Sequence, residues 1–499
     1  MSNWTDQGID AALNIFNYAQ NLVEPSLKLG VTGLSRSGKT VFITSLIYHL
    51  LERKHLPFFE PLRSGRIIDA YLEPHPDDLL PRFDYEGNLK TLTNGSPENP
   101  TLKWPEGTRY ISQLRLTIIY QSDHFISRHL GESKLHIDVI DYPGEWLLDL
   151  PLLEKDYQTW SREAFKFAKQ PHAKAFAKKW LKKNEKINPR SDQGEATAKE
   201  LAESFTDFLN QTRENEPDLP TFPPGRFLMP GDLKNSPALT FAPLKIENED
   251  IEENSLASLM ERRFEAYKTL IIRPFYRQFF TRLDRQIVLV DVLSNLNAGK
   301  AHLDHLQNSL TNILKSFSPG APHWLTSIWN KKIDRLVFAA TKADHLHHHN
   351  HDQLQNLLSQ ITHTAIKKAE LKGAEVKVQA LASLRTTREV TIEENGETYD
   401  ALAGTPLTGT EFQGQVFDGK TETILFTGDL KTEIKNDLKS DLVSDLAASI
   451  TDQTIENDKN SSIEIINFAP PQVDEHSQNK MPHIRLDRAL NMLIGDKLK

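Results

Sequence analysis

The stretch GLSRSGKT, residues 33–40, decides the fold. Gly33, Gly38, Lys39 and Thr40 match G-x-x-x-x-G-K-[ST]. Ahead of it, SLKLGVTG has the β-branched and apolar residues of a buried strand. Behind it, VFITSLIYHLLERK is apolar at helical spacing. Phosphate binding needs this strand–loop–helix order, because the loop N–H groups and the positive end of the helix then face the phosphate oxygens. Gly33, Ser35, Arg36, Ser37, Gly38, Lys39, Thr40 and Val41 are therefore the expected phosphate-side residues. Lys39 is expected to reach the β- and γ-phosphates, and the Thr40 hydroxyl to ligate Mg2+.

Further motifs choose the base. LHIDVIDYPGEW, residues 135–146, reads as a strand ending in D-x-x-G, from Asp141 to Gly144. In phosphate-loop proteins this Asp holds Mg2+ and the Gly N–H senses the γ-phosphate, so Asp141 joins Thr40 as a metal candidate and Gly144 is a catalytic candidate. RLVFAATKADH, residues 335–345, is a strand running into Thr341-Lys342-Ala343-Asp344, the [NT]-K-x-D pattern. One carboxylate, Asp344, can accept from both guanine N1–H and the N2 amino group. Adenine has no such donor pair. The Lys342 stem would lie over the base, with His345 adjoining. EVKVQALASLR, residues 375–385, ends at Ala382-Ser383, where a backbone N–H would meet the guanine carbonyl.

Six strand candidates line up: SLKLGVTG, QLRLTIIY, LHIDVIDYP, RQIVLVDVL, RLVFAATKAD and EVKVQALAS. They predict an α/β fold, a P-loop GTPase domain with a mostly parallel six-stranded sheet and its ligand at the C-terminal strand ends. A chain of 499 residues is too long for one ordinary core and implies roughly two to four domains. The expected division is an amphipathic helix over 1–25, a first GTPase part over 26–150, a helical insertion over 151–284, a second GTPase part over 285–386, a β-rich appendage over 387–480 and a closing helix over 481–499.

Hydrophobic residues make up 38% and charged residues 25%, as in soluble globular proteins. A net charge of −9 argues against a nucleic-acid partner. The absence of cysteine removes disulfides, thiolate metal sites and thiol nucleophiles. No stretch reads as a signal peptide or a spanning helix, so a cytoplasmic protein is expected.

The motifs GLSRSGKT, DYPGEW and TKAD, with PGRFLMPGDL (224–233) and the tail PHIRLDRALNMLIGDKLK (482–499), resemble the YcjX-like family of bacterial P-loop GTP-binding proteins. The resemblance runs over nearly the whole chain. It implies a cytoplasmic GTP/GDP-binding protein with a helical insertion and a stress-linked role. It also implies a membrane-protein partner, which would bring the chain beside the inner membrane.

Two positions depart from small GTPases. Glu145 stands where a Gln orients the attacking water, and its charge would repel the γ-phosphate. Arg36 stands inside the loop, where small residues are usual. The loop resembles that of dynamin-like guanylate-binding proteins, in which this Arg is a built-in arginine finger ordered by dimerisation; that implies a homodimer and a catalytic Arg36, the alternative being a solvent-facing Arg36 that aids ground-state phosphate binding. A threonine that caps Mg2+ is expected before the second motif strand; Thr108 is placed best, with Thr101 and Thr93 as alternatives. A P-loop ATPase, or a nucleotide-binding scaffold with negligible turnover, are the competing readings.

The remaining segments carry less. Pro274 is expected to bend the helix MERRFEAYKTLIIRPFYRQFFTRL. The Lys-dense run KFAKQPHAKAFAKKWLKKNEKINPR reads as a solvated helix face or, with Phe176 and Trp180 interleaved, as a lipid or RNA contact. HLHHHNH, residues 345–351, reads as a polar loop, since no carboxylate cluster at ligand spacing completes a metal site. EVTIEENGETYDALAG carries an Asn-Gly turn between β-like runs, a hairpin signal.

Overall fold

The computed structural model describes residues 25–34, 36–93, 103–122, 132–192, 194–216, 222–234, 236–246, 251–279, 282–315, 333–371, 373–394, 396–412, 414–426, 430, 466–471 and 481–499. The expected helix over 1–25 falls, but for its last residue, outside them. So does the short helix expected over DLKSDLVSDLAASI.

A central sheet carries the motifs. Its strands are β1 (Ser26–Gly33), β2 (Ile67–Glu73), β3 (Ser112–Tyr120), β4 (Ser133–Asp141), β5 (Arg285–Val290), β6 (Arg335–Ala340) and β7 (Glu375–Ala380). They lie in the order β2-β3-β4-β1-β5-β6-β7. The pairs from β4 to β7 are parallel, and β2–β3 and β3–β4 are antiparallel. All six motif strands are present, and β2 is a seventh. Its sequence, IIDAYLE, is half-exposed and carries Asp69, as an edge strand tolerates. Its pairing with β3 rests on the backbone ladder, which leaves little trace in the residue pattern.

The strands of the middle read as apolar runs because both faces are covered. On β5, Ile287 and Leu289 enter one core while Val288 and Val290 enter the other. The first core is closed by α1 (Lys39–Glu52) and by the chain's last helix, Leu486–Ile494, through Leu486, Leu490 and Leu493. That last helix is pinned by polar contacts as well. Asp487 accepts from the Phe58 N–H at 2.9 Å, and Asp496 just beyond the helix pairs with the fully buried Arg285 at 2.8 Å. The second core is closed by helices Val292–Asn297, Lys300–Lys315 and His351–Leu371.

Between β4 and β5 run the helices Tyr157–Phe167, Lys174–Asn184, Gly194–Asn215, Leu256–Tyr267 and Arg273–Phe279. Pro274 stands near the start of the last of these helices. A π-helical turn, Lys268–Ile272, comes just before it, and the α-helix restarts at Arg273. Proline has no N–H to give the ladder, and the wider turn resets the hydrogen bonding there. The Lys-dense segment forms the helix Lys174–Asn184, with its lysines outward and Trp180 fully buried against Phe208, the two planes 3° apart. Trp180 is thus a packing residue and not a lipid or RNA contact.

After β7 come a hairpin, β8 (Thr387–Glu394) with β9 (Glu397–Gly404), and β10 (Thr423–Leu425) against β9. Gly396 takes φ 84°, which a tight two-residue turn demands and glycine adopts without strain. Among the described residues no helix is long and apolar enough to cross a membrane.

Candidate nucleotide site

The loop after β1 is built around glycines that cannot be replaced cheaply. Gly38 caps α1 with φ 85°. A Cβ at Gly33 would lie 2.3 Å from Ser37 Oγ and 2.7 Å from the Leu289 carbonyl. Lys39 is buried, and its ammonium donates to the carbonyls of Gly33 at 2.9 Å and Leu34 at 3.3 Å. Burial lowers its pKa, while the charges of Asp141 and Glu145 raise it. Ser37 Oγ is buried with no hydrogen-bond partner among the described residues. Arg36 is exposed at φ 62°, and Val41 is half-buried at the start of α1. Ser35 lies outside the described residues.

The D-x-x-G turn closes onto this loop. A Cβ at Gly144 would fall 2.4 Å from the Gly33 carbonyl oxygen and 2.9 Å from Lys39 Nζ, so only glycine fits. Asp141 ends β4 at the loop's edge. Thr108 donates to Asp141 Oδ2 at 2.7 Å, and its oxygen is 3.5 Å from the Thr40 hydroxyl. Three oxygens expected around a cation are thus gathered in one place. Among the described residues Asp141 Oδ1 is buried without a hydrogen-bond partner by distance and angle, and burial pushes the carboxyl up to about 6 despite Lys39, Thr108 and the Tyr142 N–H. An oxygen-donor set with an orphaned carboxylate oxygen suits a hard divalent cation such as Mg2+. Of the alternatives to Thr108, Thr93 is spent on its own helix, donating to the Leu89 carbonyl, and Thr101 lies outside the described residues.

At the other end of the sheet edge, Asp344 is buried beyond β6. Its Oδ2 accepts from the Thr386 N–H at 2.8 Å and the Thr386 hydroxyl at 2.5 Å. Lys342 sits at φ 60° and pairs with Asp291 at 2.5 Å. His345 turns its ring inward onto Phe468. Ala382 departs from expectation: its N–H donates to the Ile484 carbonyl at 3.1 Å, so it is taken by the C-terminal segment. Of the expected pair this leaves Ser383, which is buried beside it. The sequence reading missed Thr386 and Asp291. Asp291 carried a signal, as a carboxylate ending an apolar strand at the sheet's ligand edge. Thr386 carried none.

The sequence model of the YcjX-like family, DUF463, matches residues 27–498. The chain belongs to this family. It is 33% identical over 490 residues to the Ras-like GTPase YcjX of Escherichia coli (strain K12), covering 96% of this chain and 97% of that protein. It is 30% identical over 496 residues to the Ras-like GTPase YcjX of Shewanella oneidensis, covering 95% of each.

In this member of the YcjX-like family the segment after Gly144 is not a free loop. Residues Gly144–Glu154 form a buried 3-10 run. Tyr142 is locked to β1 through Thr32 at 2.6 Å. Trp146 packs edge-on against Phe275, donates to the Met229 carbonyl at 2.9 Å and lies under the Arg226 guanidinium. Asp149 accepts from the Gly225 N–H and from Tyr267, each at 2.6 Å. A Cβ at Gly225 would collide with the Glu145 carbonyl, so PGRFLMPGDL lies directly on the turn. Glu145 is buried, its carboxylate 3.7 Å from Arg213 of the helix Gly194–Asn215. Glu145, which directly follows the D-x-x-G pattern, therefore faces the helical segment.

The histidine run also differs from a plain polar loop. His351 is buried and bonded to the Ala343 carbonyl, while the fold brings Glu389 of β8 and Asp400 of β9 beside His347, His348 and His349. The carboxylates missing from the local sequence arrive from the hairpin.

Proposed function

We propose that this chain binds GTP and GDP with Mg2+, hydrolyses GTP slowly, and passes the phosphate state to its helical insertion. The observation that carries this reading is the convergence of Thr40, Thr108 and Asp141 beside Lys39. Lys39 would leave its two loop carbonyls for phosphate oxygens. Thr40, Asp141 and Thr108 would hold Mg2+, which supplies charge neutralisation at the β- and γ-phosphates. Gly144 lies where its N–H would meet a γ-phosphate, so loss of that group would be felt along Glu145, Trp146 and Asp149 and hence by the insertion. Asp344, oriented by Thr386, would select guanine, with the Lys342 stem over the base once released from Asp291. The names of the two relatives support the guanine reading, and the family resemblance extends it to a stress-linked regulatory role.

Slow turnover is expected from Glu145, a buried carboxylate drawn toward Arg213 at 3.7 Å where small GTPases carry a glutamine. Arg36 is exposed and, among the described residues, forms no ion pair, so a second copy could order it toward transition-state charge. The test is GTP and ATP binding together with phosphate release, measured on wild type and Lys39→Ala over a wide protein concentration range. The reading expects GTP and GDP to bind far better than ATP, and Lys39→Ala to lose both. Specific activity that rises with concentration would assign Arg36 a catalytic role in a homodimer. Flat, near-zero turnover would leave a nucleotide-binding scaffold. Preference for ATP would overturn the assignment of Asp344.

A further inference from the structure

From the geometry we infer that His347, His348 and His349, with Glu389 and Asp400, form a binding site for a borderline divalent cation of the zinc class. The site is separate from the phosphate end and does not depend on the nucleotide reading.

Three consecutive side chains ordinarily point apart. Here the 3-10 turn His348–Asn350, entered from an extended His347, gathers them. The ring centroids lie 4.3, 4.5 and 4.1 Å apart, and one nitrogen from each ring falls within 4.8 Å of the others. Tetrahedral zinc at 2.0–2.1 Å from nitrogen sets its donors about 3.4 Å apart. His348 and His349 are exposed, so small χ rotations close that difference at little cost.

The carboxylates come from the hairpin. Thr391 faces Asp400 across the β8–β9 ladder, and Glu389 lies two residues from Thr391, so Glu389 and Asp400 share a face as diagonal neighbours. Glu389 Oε2 is 2.9 Å from His348 Nδ1 and 3.7 Å from His347 Nε2. Asp400 Oδ2 is 3.5 Å from His349 Nδ1 and 3.9 Å from His347 Nδ1. That His347 nitrogen is buried and has no hydrogen-bond partner among the described residues. Three imidazoles with two carboxylates are a donor set that zinc, nickel or copper accepts and that Mg2+ does not favour.

The site would brace the guanine end. Asp344 lies three residues before His347, and Thr386 three residues before Glu389. A cation bridging loop and hairpin would therefore tie together the two partners of the Thr386–Asp344 hydrogen bonds.

The experiment is zinc titration of the full-length protein by calorimetry, and cobalt substitution followed by visible absorption. Wild type, His348→Ala/His349→Ala and Glu389→Gln are compared, with circular dichroism confirming their folds. The expected result is one zinc per wild-type chain that the double variant lacks, and at least a tenfold weaker zinc affinity in Glu389→Gln. Cobalt should give intense d–d bands in wild type that are absent from the double variant. Equal zinc stoichiometry and affinity in wild type and the double variant would overturn the proposal. So would wild-type cobalt spectra no different from the aqueous ion. His348 and His349 are exposed, and Glu389→Gln keeps the shape of a half-buried side chain, so a loss confined to metal binding is not a folding failure.

Discussion

Asp141 and Asp344 are both buried carboxylates at the ligand edge of one sheet, and each accepts a hydroxyl proton from a threonine. Their surroundings are otherwise opposed. Asp344 Oδ2 takes both the N–H and the hydroxyl of Thr386, so its orientation is fixed by the chain itself. Asp141 keeps Oδ1 buried and, among the described residues, without a hydrogen-bond partner, and burial pushes its carboxyl up to about 6. The surrounding structure differs in the same way. The Asp344 end is supported by a β-hairpin and the C-terminal segment, the Asp141 end by a helical region whose core is continuous with the turn after Gly144. One end is prepared to read a shape, and the other holds a deficit that a charged ligand would relieve.

The continuity at the phosphate end can be broken most severely at Trp146. Trp146→Ala removes a nearly fully buried indole that touches Phe275, Met229 and Arg226. A loss of about 3–5 kcal/mol in stability is expected, the usual cost of emptying a large aromatic site. Denaturant unfolding measures it. A change below about 1 kcal/mol would mean that the turn and the helical region do not share a core.

Asp344→Asn attacks the other end. The amide cannot accept two guanine protons at once, so GTP and GDP affinity should fall about 10²–10³-fold, or roughly 3–4 kcal/mol. Xanthosine nucleotides, which carry a carbonyl where guanine has its amino group, should gain. Competition binding with both bases checks this, and unchanged GTP affinity would remove Asp344 from the base site.

Much of this contrast is legible in the residues. The glycines at 33, 38 and 144, the lysine at 39 and the carboxylates at 141 and 344 stand in short patterns whose spacing follows from backbone geometry and phosphate chemistry. So do the six strands that carry them. The edge strand β2 was not legible, because most of its residues are only half-buried and its pairing is made by backbone. Thr386 and Arg213 were hidden for another reason. Each meets its partner only after more than forty residues of chain have folded between them, and no local pattern records such a meeting. Ala382 misled because a backbone N–H leaves no mark in sequence of which carbonyl it will find.

The deficit at Asp141 predicts a pH effect with a definite sign. Its folded pKa is raised, from 3.8 to about 6. Between those values the folded chain holds more protons than the unfolded one, so stability falls as pH rises through the window. Above it, the ionised carboxylate costs about 2–3 kcal/mol in the metal-free protein. Asp141→Asn should therefore raise the melting temperature of nucleotide-free protein at pH 8, an advantage that fades towards pH 4. The same variant should lose Mg2+-dependent nucleotide binding. Equal melting of variant and wild type at pH 8 would show that Lys39 already compensates the charge.

The smallest expected effect is the most discriminating for mechanism. Glu145 occupies the position of a water-orienting glutamine, but its carboxylate is buried 3.7 Å from Arg213, on the insertion side of the turn. If that contact persists with GTP bound, Glu145→Gln should change single-turnover hydrolysis by less than about threefold, or roughly 0.6 kcal/mol in barrier. It should loosen the insertion instead, seen as faster amide exchange in the helix Gly194–Asn215. A tenfold or greater rise in hydrolysis would place the side chain beside the attacking water and make the Arg213 contact the resting position of a moving switch. Arg213→Ala separates the two cases: it frees Glu145 without changing it, so faster turnover in that variant would identify the ion pair as the brake.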